Sequence, residues 1–221
     1  MILINPSVAF EPFNSEQIYK KLEKHARTCY KSEEYITGDS YREIINLIMK
    51  KGHLSVLEHV SLSAKIITDR GVMAELTRHR AGVVFSIEST RYANYTKDKF
   101  GNQLTFVIPH NIEIKEGHYV NTMSIMYCKI EDRVFFETLI EIEQTYIELI
   151  NYRNWKPEQA RAILPNCLKT EISMTANLRE WIHILDLRTS KAAHPDMQII
   201  ANMCKDYLKE NLPLIFDRNK E

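Results

Sequence analysis

The sequence predicts a single α+β domain spanning residues 1–221, with mixed helices and a mainly antiparallel sheet. Three observations lead there. Apolar residues recur at helical spacing in several segments and at a period of two in others. The two kinds of segment follow one another without regular βαβ alternation, which disfavours a doubly wound sheet. No internal repeat, no linker rich in Gly, Ser or Pro, and no long block of one charge divides the chain.

Each element has its own signal. Ser15 to Tyr30 reads as a helix, with Ser15 as N-cap and Ile18, Leu22 and Ala26 at helical spacing. Tyr41 to Lys51 is the second helix, carrying Ile44, Ile45, Leu47 and Ile48, with Gly52 where a C-terminal stop belongs. Val60, Leu62, Ala64 and Ile66 alternate with Ser61, Ser63 and Lys65, the pattern of a strand with one apolar face. A short helix from about Gly71 leads into an arginine-rich stretch, and Leu104 to Ile108, stopped by Pro109, is a strand. Between Glu131 and Tyr152 a helix places Phe135, Leu139, Ile142, Tyr146 and Leu149 on one stripe, with Glu137, Glu141, Gln144 and Glu148 opposite. Pro157 starts a short helix that ends at Pro165. Lys169 to Ala176 is compatible with a strand, with Ile172 and Met174 on one side. Helices over about Leu178 to Arg188 and Asp196 to Leu208 complete the chain.

Composition excludes several functions. The chain has 29 Lys+Arg and 29 Asp+Glu, so its formal net charge is zero. That argues against non-specific nucleic-acid binding but leaves room for a local basic cluster holding a phosphate. No apolar run approaches the ~20 residues of a membrane span, and MILINPSVAF lacks the basic region and long apolar stretch of a secretory signal. Cys29, Cys128, Cys167 and Cys204 show no C-x-x-C spacing and read as reduced thiols of a cytosolic protein. There is no G-x-G-x-x-G, no G-x-x-x-x-G-K-[ST] and no G-x-S-x-G. Cys167 reads as a buried inert thiol rather than a nucleophile.

Three polar clusters could carry chemistry. The densest is Thr77-Arg78-His79-Arg80, followed by Phe85-Ser86-Ile87-Glu88-Ser89-Thr90-Arg91-Tyr92. If the preceding helix ran through Arg80, then Val72, Leu76, His79 and Arg80 would share one arc. A guanidinium beside an apolar stripe needs an anion, and phosphate suits its planar fork. The plain alternative is a helix end with solvated arginines, some paired to Glu75 and Glu88. The second cluster is His53-Leu54-Ser55-Val56-Leu57-Glu58-His59. Its His53, Glu58 and His59 invite a metal reading, but no H-E-x-x-H or usefully spaced cysteine supports one, and structural hydrogen bonding is the expectation. The third comprises Arg161, Asn177, Arg179, His183 and Arg188. Leu178, Trp181, Ile182 and Leu185 form the buried stripe of the helix that starts near Leu178, Arg179 and His183 sit four apart on another face, and Arg188 lies at the edge of the stripe.

Arg78-His79-Arg80 followed by Ser89, with Arg91-Tyr92 behind, resembles the R-H-R-x7-S signature of flavin-dependent thymidylate synthases. His53 to His59 resembles the family's H-x-[ST]-x-x-E-H element, and Ala160-Arg161-Ala162-Ile163-Leu164-Pro165 its A-R-x-x-L-P. Asn177-Leu178-Arg179 with Leu185-Asp186-Leu187-Arg188 resembles its N-x-R…L-x-L-R end. The chain departs from the pattern in three places. Eight residues, Ala81 to Glu88, separate Arg80 from Ser89, one more than the commonest spacing; Glu75 stands where many members have Gln, and His183 where many have Asn.

The resemblance implies methylation of dUMP to dTMP at C5, with methylenetetrahydrofolate as carbon donor and reduced FAD, reloaded by NADPH, as hydride donor. It also implies a cytoplasmic homotetramer with active sites at subunit interfaces, binding neither nucleic acid nor membrane and using no metal. Carried over by position, Ser55, Arg78, His79, Arg80, Asn177, Arg179 and His183 match FAD contacts. Glu75, Arg78, Ser89, Thr90, Arg91, Arg161 and Arg188 match positions that hold dUMP, and Glu88 belongs to either set. Arg188 is implied as the catalytic cation against the uracil. The rival readings are a nucleic-acid module using Arg78, Arg80, Arg91, Tyr92 and Tyr95, and a metal hydrolase on His53, Glu58 and His59.

Overall fold

Asn14, not Ser15, opens the first helix. In the computed structural model, which describes residues 1–120 and 129–217, α1 (Ser15–Tyr30) begins where the Asn14 side chain accepts from the Gln17 N–H at 2.9 Å. The Ser15 hydroxyl instead donates to the Asn211 carbonyl at 2.7 Å. Asn serves at an N-cap as well as Ser, so composition alone did not place the boundary. α2 (Tyr41–Lys51) ends at Gly52 in the left-handed conformation, φ 67°, where glycine carries no steric penalty.

The described residues divide into two compact units, each assembled from separate stretches of chain. One comprises Met1–Ser7, Ile66–Leu76 and Ser86–Ile172; the other comprises Val8–Lys65, Thr77–Phe85 and the chain from Ser173 onward. Two sheets are present among the described residues. β1 (Ile2–Ile4) lies between β5 (Thr105–Val107), to which it is parallel, and the antiparallel β6 (Gly117–His118). The second sheet has the order β2 (Ser7–Phe10), β3 (Ser61–Asp69), β7 (Lys169–Asn177), β4 (Val83–Ile87). Leu178 donates to the Val60 carbonyl while Ser63 meets Thr175 side chain to side chain, so β3 and β7 run antiparallel. The bonds Asn177 N to Gly82 O and Glu88 N to Glu171 O make β7 and β4 antiparallel as well. β4 occupies most of the stretch between Arg80 and Ser89 that the motif treats as a spacer, and β1, β2, β4 and β6 lack a period-two signal long enough to read.

In the first unit the core gathers Met1, Leu3, Leu104, Phe106 and Leu168 against α4 (Arg133–Asn151). The buried stripe of α4 is Phe136, Leu139, Ile140 and Tyr146, while Phe135, Ile142 and Leu149 of the expected stripe are only partly covered. The rotation brings Glu143 inward, where it accepts from the Leu104 N–H at 2.8 Å and the Met1 amino group at 2.7 Å. A half-buried carboxylate with two donors is thereby satisfied, which an apolar count could not foresee. α3 (Arg70–Leu76), α5 (Pro157–Ala160) and a 3₁₀ turn over Arg161–Ile163 also belong to this unit.

In the second unit α1 packs on α2, α6 (Leu178–Arg188) on α7 (Pro195–Asn211), and α7 on α8 (Pro213–Phe216). Phe10 stacks on Tyr207 with ring centroids 4.6 Å apart and tilts against Trp181, whose indole N–H donates to the Leu62 carbonyl. Trp181 therefore locks α6 to β3 through both an apolar face and a satisfied polar edge. None of the helices among the described residues is long and apolar enough to cross a membrane. Cys128 lies outside the described residues.

Candidate functional site

The helix α3 stops at Leu76, so His79 and Arg80 do not share its arc. After a turn at Thr77 and Arg78 the chain is irregular, and side chains separate by burial: His79 is 6% exposed, while Arg78 and Arg80 on either side lie in solvent. Both guanidiniums lack an ionic partner among the described residues. His79 is held from α6. Arg188 Nε donates to His79 Nε2 at 3.1 Å, and His79 Nδ1 lies 3.2 Å from Glu180 Oε1.

These contacts define the protonation of the ring. Nε2 accepts from a guanidinium that can only donate, so Nδ1 carries the proton of a neutral imidazole and donates it to the Glu180 carboxylate. Burial, then the positive charge of Arg188 and the neighbouring His183, hold the imidazole down at about 4. Burial raises the Glu180 carboxyl above its usual range, against a smaller lowering by His183. The His183 ring meets His79 edge-on at 5.8 Å. Ligand atoms of His79, Glu180 and His183 lie within 4.8 Å of one another, the density of a metal site. A protonated Nδ1 has no lone pair for a cation, and the Arg188 charge beside the ring opposes one.

α6 owes its placement to its cap. The Asn177 side chain accepts from the Glu180 N–H at 2.8 Å, fixing the first turn and aiming Glu180 inward. Asn177 also receives the turn before β4, donating its N–H to the Gly82 carbonyl. Gly82 has φ 67°, and a Cβ there would strike the Asn177 amide. On the outer face of α6, Arg179 pairs with Glu58 at 2.6 Å. Ser55 is exposed on the 3₁₀ turn Leu54–His59. The other metal candidates of that turn part company: His53 Nδ1 meets the Tyr30 hydroxyl, Glu58 takes Arg179, and His59 stacks on His25 at 3.8 Å.

The remaining candidates belong to the other unit. Glu88 accepts from the Tyr95 hydroxyl at 3.1 Å and from Lys169 at 3.0 Å, and Lys169 also bonds Glu171 at 2.6 Å. Glu88 thus pairs with a lysine rather than with the arginines of the cluster. Tyr95 is buried and bonded through its hydroxyl, so it is not a stacking platform for a base, whereas Tyr92 is 77% exposed. The Ser89 hydroxyl accepts from the Arg91 N–H at 3.3 Å, and Thr90 is buried. Arg91 pairs with Glu158 at 3.1 Å and lies over the Tyr92 ring. Arg161 is exposed on its 3₁₀ turn, and Glu75 is half-buried near the end of α3. Burial pushes the Cys167 thiol up to about 12, so it stays protonated and inert at neutral pH.

Sequence reasoning missed Glu180. Its signal was present: Glu180, Ile184 and Arg188 fall four apart on one helical arc, and Asn177-x-x-Glu180 has the spacing of a capped first turn. Glu180 was passed over because the buried stripe was drawn from apolar residues alone.

A family model described as "Thymidylate synthase complementing protein" matches residues 15–214. The chain is 29% identical over 198 residues to a flavin-dependent thymidylate synthase of Geobacter sulfurreducens, covering 86% of this chain and 77% of that one. It is 26% identical over 202 residues to a probable flavin-dependent thymidylate synthase of Paramecium bursaria Chlorella virus 1, covering 89% and 88%. Among solved structures it resembles thymidylate synthase X of Helicobacter pylori with FAD and dUMP, at TM-score 0.71 and 25% identity over 98% of this chain and 100% of that chain. A UMP/dUMP methylase of Streptomyces cacaoi bound with 5-Br dUMP shares the fold at TM-score 0.75 and 22% identity, over 98% of this chain and 96% of that one.

Proposed function

We infer the activity from one premise: the chain belongs to the thymidylate synthase complementing protein family. It is a flavin-dependent thymidylate synthase, an enzyme that methylates dUMP to dTMP and uses FAD. The observation that carries this reading into the geometry is the arrangement of Arg78, His79 and Arg80. A buried neutral histidine anchors the segment while two guanidiniums stand in solvent without an ionic partner among the described residues.

That arrangement fits a dinucleotide cofactor bound without a glycine loop. Arg78 and Arg80 offer planar forks to its phosphates, and Ser55, Arg179, His183 and the Asn177 amide add polar contacts from the same unit. Glu88 joins the ligand contacts from its own unit. Reduced FAD, reloaded by NADPH, supplies the hydride that completes the methyl group delivered by methylenetetrahydrofolate. The chain's own residues bind and polarise the nucleotide. Ser89 and Arg91, with Thr90 orienting the turn, hold the dUMP phosphate. Glu75, Arg78 and Arg161 position the nucleoside. Arg188 faces the uracil and stabilises negative charge that builds on the ring as C5 attacks the carbon donor. No cysteine nucleophile is required, in keeping with the protonated thiol of Cys167.

Residues 1–221 act as one functional domain in the cytoplasm. Four copies associate, with each active site drawing on more than one subunit; the exposed apolar side chains Val84, Tyr92 and Leu187, close in sequence to site residues, support association. Light scattering of the purified protein reads this directly, and a monomer would overturn it.

The test of the activity is the visible absorbance of the purified protein before and after dUMP, followed by dTMP formation with methylenetetrahydrofolate and NADPH. A flavin spectrum that dUMP perturbs places both ligands in one site. A colourless protein that takes up no added FAD refutes the reading.

A further inference from the structure

We propose that Glu180 is a positioning residue for Arg188, acting through His79 by holding the imidazole in its Nδ1–H tautomer. The inference rests on the catalytic reading of Arg188, and Glu180 is no part of the contacts that the family resemblance assigns.

Three bonded groups make the case. Glu180 Oε1, His79 and Arg188 Nε form a chain with links of 3.2 and 3.1 Å. The first two members are nearly excluded from water, with Glu180 8% and His79 6% exposed. A buried imidazole has two neutral tautomers, and the bond at one nitrogen selects the other nitrogen's role. With the proton on Nδ1, Glu180 accepts it and Nε2 presents a lone pair to the Arg188 N–H. With the proton on Nε2, two donors face each other and Nδ1 directs a lone pair at a carboxylate. Both links fail in that state, so the carboxylate and the guanidinium stabilise the same tautomer from opposite sides.

Removing the carboxylate leaves Nδ1–H buried without its acceptor, a loss of the kind that reorganises a site. The ring can then turn or exchange tautomers, and the Arg188 Nε–H loses the imidazole acceptor that orients it. The edge-on His183 ring is the only other imidazole against His79 among the described residues. The Asn177 cap on the Glu180 N–H holds the carboxylate at the required depth, so the chain is built into the first turn of α6.

The experiment compares wild type, Glu180→Ala, Glu180→Gln and Arg188→Ala as holoenzymes, reading kcat, KM for dUMP, the flavin spectrum and the melting temperature. Gln keeps an oxygen acceptor for Nδ1–H without the charge. Expected for Glu180→Ala is a kcat lowered on the order of 100-fold, as for a misplaced catalytic group, with the flavin spectrum retained and KM moved far less. Glu180→Gln should recover most of that loss. Wild-type kcat in Glu180→Ala, or equal loss in the Ala and Gln variants, overturns the proposal. Full activity in Arg188→Ala instead overturns the catalytic reading on which it rests. Should Glu180→Ala not fold, ¹⁵N NMR of histidine-labelled wild type, with His79 assigned by its loss in His79→Gln, still decides. Nδ1–H supports the proposal and Nε2–H refutes it.

Discussion

The chain holds Arg188 and Arg91 by opposite means. Arg188 donates to a neutral, buried imidazole that is itself fixed by a carboxylate one residue further in. Arg91 pairs directly with Glu158 in solvent, with the two side chains 58% and 41% exposed. A guanidinium tied to a neutral acceptor keeps its full charge and gains a fixed orientation, as a group that must stabilise developing charge requires. One tied to an exposed carboxylate is screened, and exchanges that partner at little cost. The first arrangement suits catalysis, and the second suits a phosphate that must arrive and leave.

The largest expected effect breaks the first arrangement outright. Arg188→Ala should retain FAD, since the exposed Arg78 and Arg80 are untouched, yet lose most dTMP formation, a fall of about 10²–10³-fold in kcat as when a charge-stabilising donor is deleted. Spectra and turnover on the same preparation check it; normal turnover would remove Arg188 from the chemistry.

Next in size is Gly82→Ala. Its φ of 67° penalises any side chain, and the added Cβ meets the Asn177 amide that caps α6. Backbone strain and a disturbed cap together cost about 2–3 kcal/mol, or roughly 5–10 °C in melting temperature for a chain of this size. Because the cap aims Glu180, kcat should fall as well; a variant with an unchanged melt would show that the turn relaxes freely.

Acid sharpens the comparison further. His79 is held at about 4 in the folded state against an ordinary value near 6.5. The unfolded chain therefore binds the extra proton first. The stability that neutral His79 contributes is complete above pH 6.5 and is lost as the pH falls through 4. Glu180, raised by burial, acts with the opposite sign above its ordinary value. Melting curves should show the advantage of wild type over His79→Gln narrowing as the pH drops from 6.5 toward 4. A constant difference would mean that the ring does not titrate as its surroundings require.

How far the sequence was legible follows the same division. The period of α2 and α6 and the glycine after α2 placed those two helices to within a residue, because apolar stripes and left-handed stops are local signals, whereas β3 starts where its alternation starts but runs on to Asp69, three residues past Ile66. β4 falls inside the eight residues that the motif counts only as spacing between Arg80 and Ser89. Its burial alternates only weakly and its strand character comes from pairing with β7, a partner far along the chain. In the site, His79 and Arg188 were legible as residue types in a motif. The bond between them was not, since it depends on where α3 stops and how α6 is capped. Glu180 carries its signal in the spacing to Asn177 and Arg188, but a carboxylate on a buried arc makes sense only once its imidazole partner is in view.

The smallest effect is the most discriminating for the exposed arginine. Glu158→Gln removes one member of a solvent-exposed pair, so stability should change by less than about 1 kcal/mol. If Arg91 holds the dUMP phosphate, however, Glu158 competes with that phosphate in the free enzyme, and removing its charge should lower KM for dUMP by about twofold at low salt. Added salt screens the competing pair, so the difference should shrink as ionic strength rises. A KM that increases would mean that Glu158 orients Arg91 rather than competing for it, so that a solvent-exposed pair would position its guanidinium as the buried one does. A KM unchanged at every salt concentration would take Arg91 out of phosphate binding and leave that task to Ser89, Thr90 and the backbone around them.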